Sequence, residues 1–256
     1  MLDATARYEG GDVAGTQARE EPAVLPCEVR GLCFEAGGDL IIDNVDLTLG
    51  STGITVVMGP NGAGKSILVR LLHGMLEPSA GDISWGGRGL CEETRRRQAM
   101  VFQTPVLLRR SVEANIAFAL RLHGENGQVR CVRILDEAGL AEKAGQPARL
   151  LSGGERQRLA IARALAADPE VLFLDEATAS LDPASVQAIE EVVQSARDRS
   201  VKIIFITHDI GQARRLADDV VFMHRGRIVE RAPAGKFFDN PSSREASDYL
   251  AGRIVL

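Results

Sequence analysis

The sequence predicts an α/β fold built on a mainly parallel sheet, with an α-helical block inserted in its middle. Three observations point there. Short β-branched runs alternate with helical patterns along most of the chain. The runs ITVVM from Ile54, VLFLDE from Val171 and VKIIFIT from Val201 are apolar, as strands buried on both faces of a parallel sheet are. Between Ser111 and Leu165 the pattern turns almost wholly helical, broken at Gly124, Gly127, Gly139 and the stretch Gly145-Gln146-Pro147.

Taken in order, CEVRGLCF, NVDLTL and ITVVM read as strands, and GPNGAGKS then opens a helix running through Ile67 to Met75. AMVFQ is a further strand. After the helical block come VLFLDE, a helix from Pro183, VKIIFIT, a short helix, and two strands about the Arg225-Gly226 turn. Met1 to Pro26 mixes Gly, Glu, Ala and Thr without periodicity and reads as a mobile tail. The divisions that follow are a tail over 1–25, an α/β core over 26–103 and 169–235, a helical subdomain over 104–168, and a short helical tail over 236–256.

Composition narrows the class. A chain of 256 residues that is 45% hydrophobic can bury a full core. A net charge of −5 counts against a nucleic-acid binder with a basic surface. The arginine pairs, such as Arg109-Arg110 and Arg214-Arg215, are scattered and read as solvated faces. Cys27, Cys33, Cys91 and Cys131 show no C-x-x-C spacing, which suits reduced thiols better than disulfides or zinc. No apolar run approaches the roughly 18 residues of a membrane span, and the N-terminus carries no signal-peptide pattern. A soluble protein is expected.

The chemistry-bearing residues lie at the ends of the apolar strands. Gly59, Pro60, Asn61, Gly62, Ala63, Gly64, Lys65 and Ser66 fill the pattern G-x-x-x-x-G-K-[ST], between a strand and a helix as that motif requires. Its glycines let backbone N–H groups turn inward on phosphate oxygens, Lys65 adds a charge for the β- and γ-phosphates, and Ser66 is placed for Mg²⁺. Asp175 and Glu176 end an apolar strand, where open α/β sheets bind ligands. Asp175 suits Mg²⁺, and Glu176 can polarise a water. Solvated acids at a strand end would look the same alone; the phosphate loop in the same chain decides for chemistry. His208 follows VKIIFIT and reaches the same edge, as a partner for the γ-phosphate or the attacking water. Gln103, after AMVF, can touch Mg²⁺ or that water. In LSGGERQ, Ser152 can cap a helix whose head carries Gly153 and Gly154, an arrangement open to an anion.

GPNGAGKS, Gln103, LSGGERQ, VLFLDE, ASLD (Ala179 to Asp182) and His208, in that order, resemble an ATP-binding cassette ATPase over about residues 26 to 235. The resemblance implies a P-loop NTPase, RecA-like core with an N-terminal antiparallel β region, and it implies ATP and Mg²⁺ as cofactors. It further implies a head-to-tail homodimer in which Ser152, Gly153, Gly154 and Glu155 meet the γ-phosphate held by the opposite subunit. Carried over by position, Ser66, Gln103 and Asp175 surround Mg²⁺, Glu176 is the general base, and His208 contacts the γ-phosphate. Ala179 to Asp182 communicates between sites, although Asp182-Pro183 also reads as a helix cap with proline in the first turn. Phe34 stands for the aromatic that stacks on adenine, where the family usually has tyrosine. Ile67 stands where the family usually has threonine or serine, which removes one bond to the α-phosphate.

With one cassette and no span, the membrane helices must come from separate permease subunits, as in bacterial importers. A peripheral place on the cytoplasmic face of the membrane, and indirect dependence on a solute-binding protein, follow from that resemblance. The short stretch after the last strand leaves no room for the regulatory domain of some sugar and molybdate importers. VFQTPVLLRRSVEANIAFAL resembles oxyanion importers, tungstate first and phosphate second. Alternatives are another small-solute importer or a cassette that binds nucleotide and only regulates. A small kinase or GTPase is disfavoured by LSGGE and the missing N-K-x-D, and a chromosome- or repair-type ATPase by the missing coiled coil.

Overall fold

The computed structural model describes residues 23–124 and 127–253; the tail expected over 1–25 lies outside them as far as residue 22. The chain opens with a hairpin, β1 (Cys27–Ala36) and β2 (Asp39–Leu49), turning at Gly37-Gly38. β3 (Ile54–Met58) leads into α1 (Lys65–His73). β4 (Ala80–Trp85), β5 (Arg88–Gly89), α2 (Glu92–Arg96) and β6 (Gln98–Val101) follow. The helical block comprises α3 (Val112–Leu122), α4 (Gln128–Glu137) and α5 (Gly153–Leu165). The chain then returns through β7 (Val171–Asp175), α6 (Pro183–Asp198), β8 (Lys202–Ile206), α7 (Ile210–Leu216), β9 (Asp219–His224), β10 (Arg227–Pro233), α8 (Ala234–Asp239) and α9 (Arg244–Leu250).

Two sheets result. One is antiparallel, in the order β2-β1-β4-β5, and the other runs β10-β9-β3-β8-β7-β6. In the second sheet β9, β3, β8, β7 and β6 are parallel and β10 is antiparallel at one edge. Every residue of β3, β7 and β8 is buried, and apart from Thr55, Asp175 and Lys202 these strands are apolar instead of alternating. β2 alternates, with Val45, Leu47 and Leu49 inward and Asp46 and Thr48 outward, as a strand with one wet face does. One apolar cluster lies between the two sheets around Leu68, Trp85 and Phe173, and another beneath the parallel sheet around Ile189, Phe205 and Phe237.

The helical block has a core of its own, built on Val112, Ile116, Leu135, Leu151 and Leu159. Leu107 packs against both that core and the cluster beneath the sheet, so it forms the joint between them.

Three features differ from the sequence reading. β4, β5 and α2 were not expected; Trp85 anchors them, fully buried with its Nε1 donating to the Leu72 carbonyl at 3.1 Å. The packed chain begins before residue 26: Val24 is buried and its N–H donates to Glu170 Oε2 at 2.9 Å. At the other end α8 begins at Ala234, inside the expected core, and Phe237 and Phe238 are buried beneath the sheet. Full burial of a phenylalanine is worth about 1.5–3 kcal/mol, which docks this end on the core.

Candidate nucleotide-binding and catalytic site

Sheet register brings the expected residues to one edge. Val57 of β3 and Asp175 of β7 both pair with Ile206 of β8, and Val101 of β6 pairs with Leu174. The loops that leave these strands carry Gly59 to Ser66, Asp175-Glu176, His208 and Gln103. All four therefore open from neighbouring carboxyl ends, where such sheets bind ligands.

The phosphate loop is tightly shaped. Gly59 has φ 142°, and a Cβ there would stand 2.1 Å from the Met223 carbonyl oxygen. Gly64 has φ 96° and caps α1 without a side-chain bond, so the first N–H groups of that helix carry no side-chain cap. The loop is braced from the side by the β9–β10 turn: the Gly226 N–H donates to the Ala63 carbonyl at 3.1 Å, and the Gly226 carbonyl accepts from Asp43 at 3.0 Å. Lys65 is buried and its Nζ donates to the carbonyls of Gly59 at 2.9 Å and Pro60 at 3.0 Å. Burial lowers the Lys65 pKa below the ordinary lysine value, while the charges of Glu176 and Asp175 work the other way.

Ser66 Oγ donates to Asp175 Oδ1 at 2.7 Å, and Arg70 stands 3.8 Å from the other carboxylate oxygen. A hydroxyl and a carboxylate side by side are hard oxygen donors of the kind Mg²⁺ takes. Glu176 has φ 50°, a left-handed conformation rare for such a residue and held by its N–H bond to the Ile206 carbonyl at 3.1 Å. His208 Nδ1 lies 3.8 Å from Glu176 Oε2, and the histidine side chain is 57% exposed. Gln103 is exposed just beyond β6. Its neighbour Phe102 is held by Gln157 of α5, a buried side chain whose Nε2 donates to the Phe102 carbonyl at 3.1 Å. Phe34 is half-buried and pairs in register with Ile42, whose Cδ1 would lie 2.9 Å from a Cβ on Gly64. Ile67 packs on the same apolar cluster as Phe34.

The head of α5 combines capping with close packing. Ser152 Oγ accepts from the Glu155 N–H at 3.3 Å, and Glu155 Oε2 accepts from the Ser152 N–H at 2.9 Å, a reciprocal capping box. The Glu155 carboxylate also pairs with Lys143, which holds its pKa below the usual range, aided by the Ser152 N–H. The two glycines differ. Gly154 is buried, and a Cβ there would meet Ser185 Oγ at 2.2 Å. Gly153 is exposed and its nearest neighbour would be Leu181 at 3.4 Å. Among the described residues no hydrogen bond or ion pair joins Ser152, Gly153 or Gly154 to the phosphate loop of their own chain. Asp182 caps α6, accepting from the Ser185 N–H at 3.0 Å and its hydroxyl at 2.6 Å.

Sequence reasoning missed Gln157, and also Gln212, which accepts from the Thr178 hydroxyl at 2.8 Å. Both read as polar helix positions, with no local sign that they are buried.

Comparison with known proteins agrees with this geometry. The ABC transporter family matches residues 42–179. The chain is 36% identical over 246 residues to a phosphate import ATP-binding protein of Natronomonas pharaonis, covering 89% of this chain and 87% of that one. It is 42% identical over 206 residues to the tungstate uptake system ATP-binding protein of Peptoclostridium acidaminophilum, covering 79% and 96%. Among solved structures, cbiO1 of Clostridium perfringens, part of the ABC transporter complex cbiONQ, superposes with a TM-score of 0.76 at 27% identity, covering 86% of this chain and 92% of that one. The phosphate loop, the acidic end of β7 and the capped glycine helix thus belong to an ATP-binding, ATP-hydrolysing chain of the ABC transporter family.

Proposed function

We propose that this chain powers uptake of an oxyanion through a separate membrane permease, hydrolysing MgATP at a site completed by a second copy of itself. The convergence of Ser66, Asp175, Glu176 and His208 on one sheet edge carries the reading. Mg²⁺ would be held by Ser66, Asp175 and Gln103 and would neutralise charge on the β- and γ-phosphates. Lys65 and the loop N–H groups bind the phosphates, Phe34 stacks on the base, and Glu176 takes a proton from the attacking water. His208 donates toward the γ-phosphate. The exposed Ser152-Gly153 helix start has no partner in the phosphate loop of its own chain, which supports its use by an opposed copy. Hydrolysis then waits on closure of the dimer.

The similarity to phosphate and tungstate importer subunits supports an oxyanion, tungstate before phosphate by the greater identity. A groove of about 250 Å³ beside Gln103, lined by Phe102, Pro105, Val106, Phe118 and Leu122, suits a short apolar helix of the permease. Among the described residues no helix is long and apolar enough to cross a membrane; similarity to import ATP-binding subunits is what supports a peripheral place on the cytoplasmic face. The test is ATP-dependent uptake of radiolabelled tungstate and phosphate by vesicles carrying this chain with its permease. Saturable tungstate uptake that phosphate competes for weakly supports the reading. Uptake of neither oxyanion overturns the substrate class.

A further inference from the structure

The buried polar side chains behind the site form a chain of hydrogen bonds that the catalytic roles above do not use. Gln212 lies one helical turn beyond His208 and is 1% exposed. Its Oε1 accepts from Thr178 Oγ1 at 2.8 Å, and its Nε2 donates to Glu190 Oε1 at 3.1 Å. Its backbone N–H donates to Asp209 Oδ1 at 2.9 Å, which caps α7 directly after His208. Glu190, buried on α6, is held in turn by Arg215 through bonds of 2.9 and 2.6 Å.

These contacts tie together the two segments that carry chemistry. Thr178 follows Glu176 closely, in a segment where Glu176 and Ser180 both have positive φ, 50° and 61°. Such conformations persist only where surrounding bonds hold them. The Thr178 hydroxyl bond is a side-chain tether from that segment to the helix that begins after His208. An amide is the group that suits the place: it accepts from a hydroxyl on one side and donates to a carboxylate on the other. A carboxylate at 212 would face Glu190 with like charge, and an apolar side chain would leave the buried end of the bond unpaired.

We infer that Gln212 is a positioning residue for ATP hydrolysis, its amide setting the spacing of Glu176 and His208 through Thr178 and Glu190. This rests on the roles proposed above for Glu176 and His208. Loss of the tether lets Glu176 drift from the water it must polarise, while the phosphate loop, which binds ATP, is untouched.

The test is steady-state ATPase activity against MgATP concentration, with melting temperature, for Thr178→Val, Thr178→Ser, Gln212→Met, the double variant Thr178→Val/Gln212→Met, and Glu176→Gln as control. Thr178→Val keeps the side-chain shape and should lower kcat about tenfold, the worth of one hydrogen bond, with KM nearly unchanged and a modest fall in melting temperature, since Gln212 Oε1 is left buried and unpaired. Thr178→Ser should restore kcat. Gln212→Met should lower kcat at least as much and also the melting temperature, and the double variant should lose no kcat beyond Gln212→Met alone, since that change already breaks the Thr178 bond along with the one to Glu190. Normal turnover by Thr178→Val overturns the inference, as does a parallel fall in kcat and melting temperature that serine does not rescue. If Glu176→Gln still hydrolyses ATP, the site reading itself falls. If Glu176→Gln is dead while Thr178→Val is normal, only the role of Gln212 falls.

Discussion

The Ser66 hydroxyl donates a 2.7 Å hydrogen bond to Asp175, a residue 109 positions further along the chain. That contact joins the start of α1 to the end of β7 and holds two oxygen donors together at the mouth of the phosphate loop. Replacing Asp175 with asparagine keeps a hydrogen-bond acceptor for Ser66 but removes the negative charge. Asp175→Asn should raise the Mg²⁺ concentration needed for half-maximal ATP hydrolysis by about 10–100-fold, read by titrating Mg²⁺ at fixed ATP. An unchanged Mg²⁺ requirement would move the metal away from this pair.

Glu176→Gln should bind ATP normally and lose hydrolysis by roughly 10²–10⁴-fold, the usual contribution of a general base. The unspent ATP should then hold two chains together, seen as a shift in size-exclusion chromatography with MgATP. A variant that turns over near the normal rate would pass the role of base elsewhere, with His208 the next candidate at 3.8 Å.

The two glycines at the head of α5 should respond differently to substitution. A Cβ on Gly154 would collide with Ser185 Oγ at 2.2 Å, so Gly154→Ala should cost about 1–3 kcal/mol and lower the melting temperature. Gly153 has room, and an acidic residue in the first turn of a helix suits its dipole. Gly153→Asp should therefore melt normally and bind a fluorescent ATP analogue as monomer, yet fail to hydrolyse, because its charge repels the partner's γ-phosphate. Full hydrolysis by Gly153→Asp would remove this helix start from the reaction.

The groove beside Gln103 separates docking from packing. Val106 and Leu122 are 75% and 68% exposed, whereas Leu107 packs between two apolar clusters. Val106→Asp and Leu122→Asp should leave the melting temperature of the free cassette unchanged and stop co-purification with the permease. Leu107→Asp should destabilise the cassette itself, because it buries a charge without a partner. Normal transport by both exposed variants would place the permease contact on another face.

What was legible in the sequence was what local chemistry decides. The phosphate loop announces itself because its glycines and lysine serve conformations and charges a few residues apart, and β7 and β8 because strands buried on both faces are apolar along almost their whole length. The roles of Gln157 and Gln212 were not legible. Each sits on an amphipathic helix, where a polar residue reads as solvated, and each is buried by partners from distant parts of the chain, Phe102 across 55 positions and Thr178 across 34. β4 was missed because GDISW is short and bounded by glycines, and its anchor Trp85 gains its burial only in the folded cluster that includes Leu72 and Phe173. Gly154 has the same character: a glycine there is demanded by Ser185 of another helix, which no spacing within LSGGERQ reveals.

The bracing of the phosphate loop by the β9–β10 turn has a consequence for synthesis. Residues 59–66 are made well before the Met223 carbonyl on which Gly59 closes and the Gly226 N–H that holds Ala63. Until then the loop has its glycines and the Ile41-Ile42 stretch of β2 against Gly64, but lacks the turn that closes on Gly59 and Ala63. A nascent chain paused before residue 223 should therefore not retain ATP, however completely its phosphate-loop motif has emerged. Since a ligand stabilises only the form that binds it, ATP acts as a stabiliser of the finished chain and does not assist its earlier fragments.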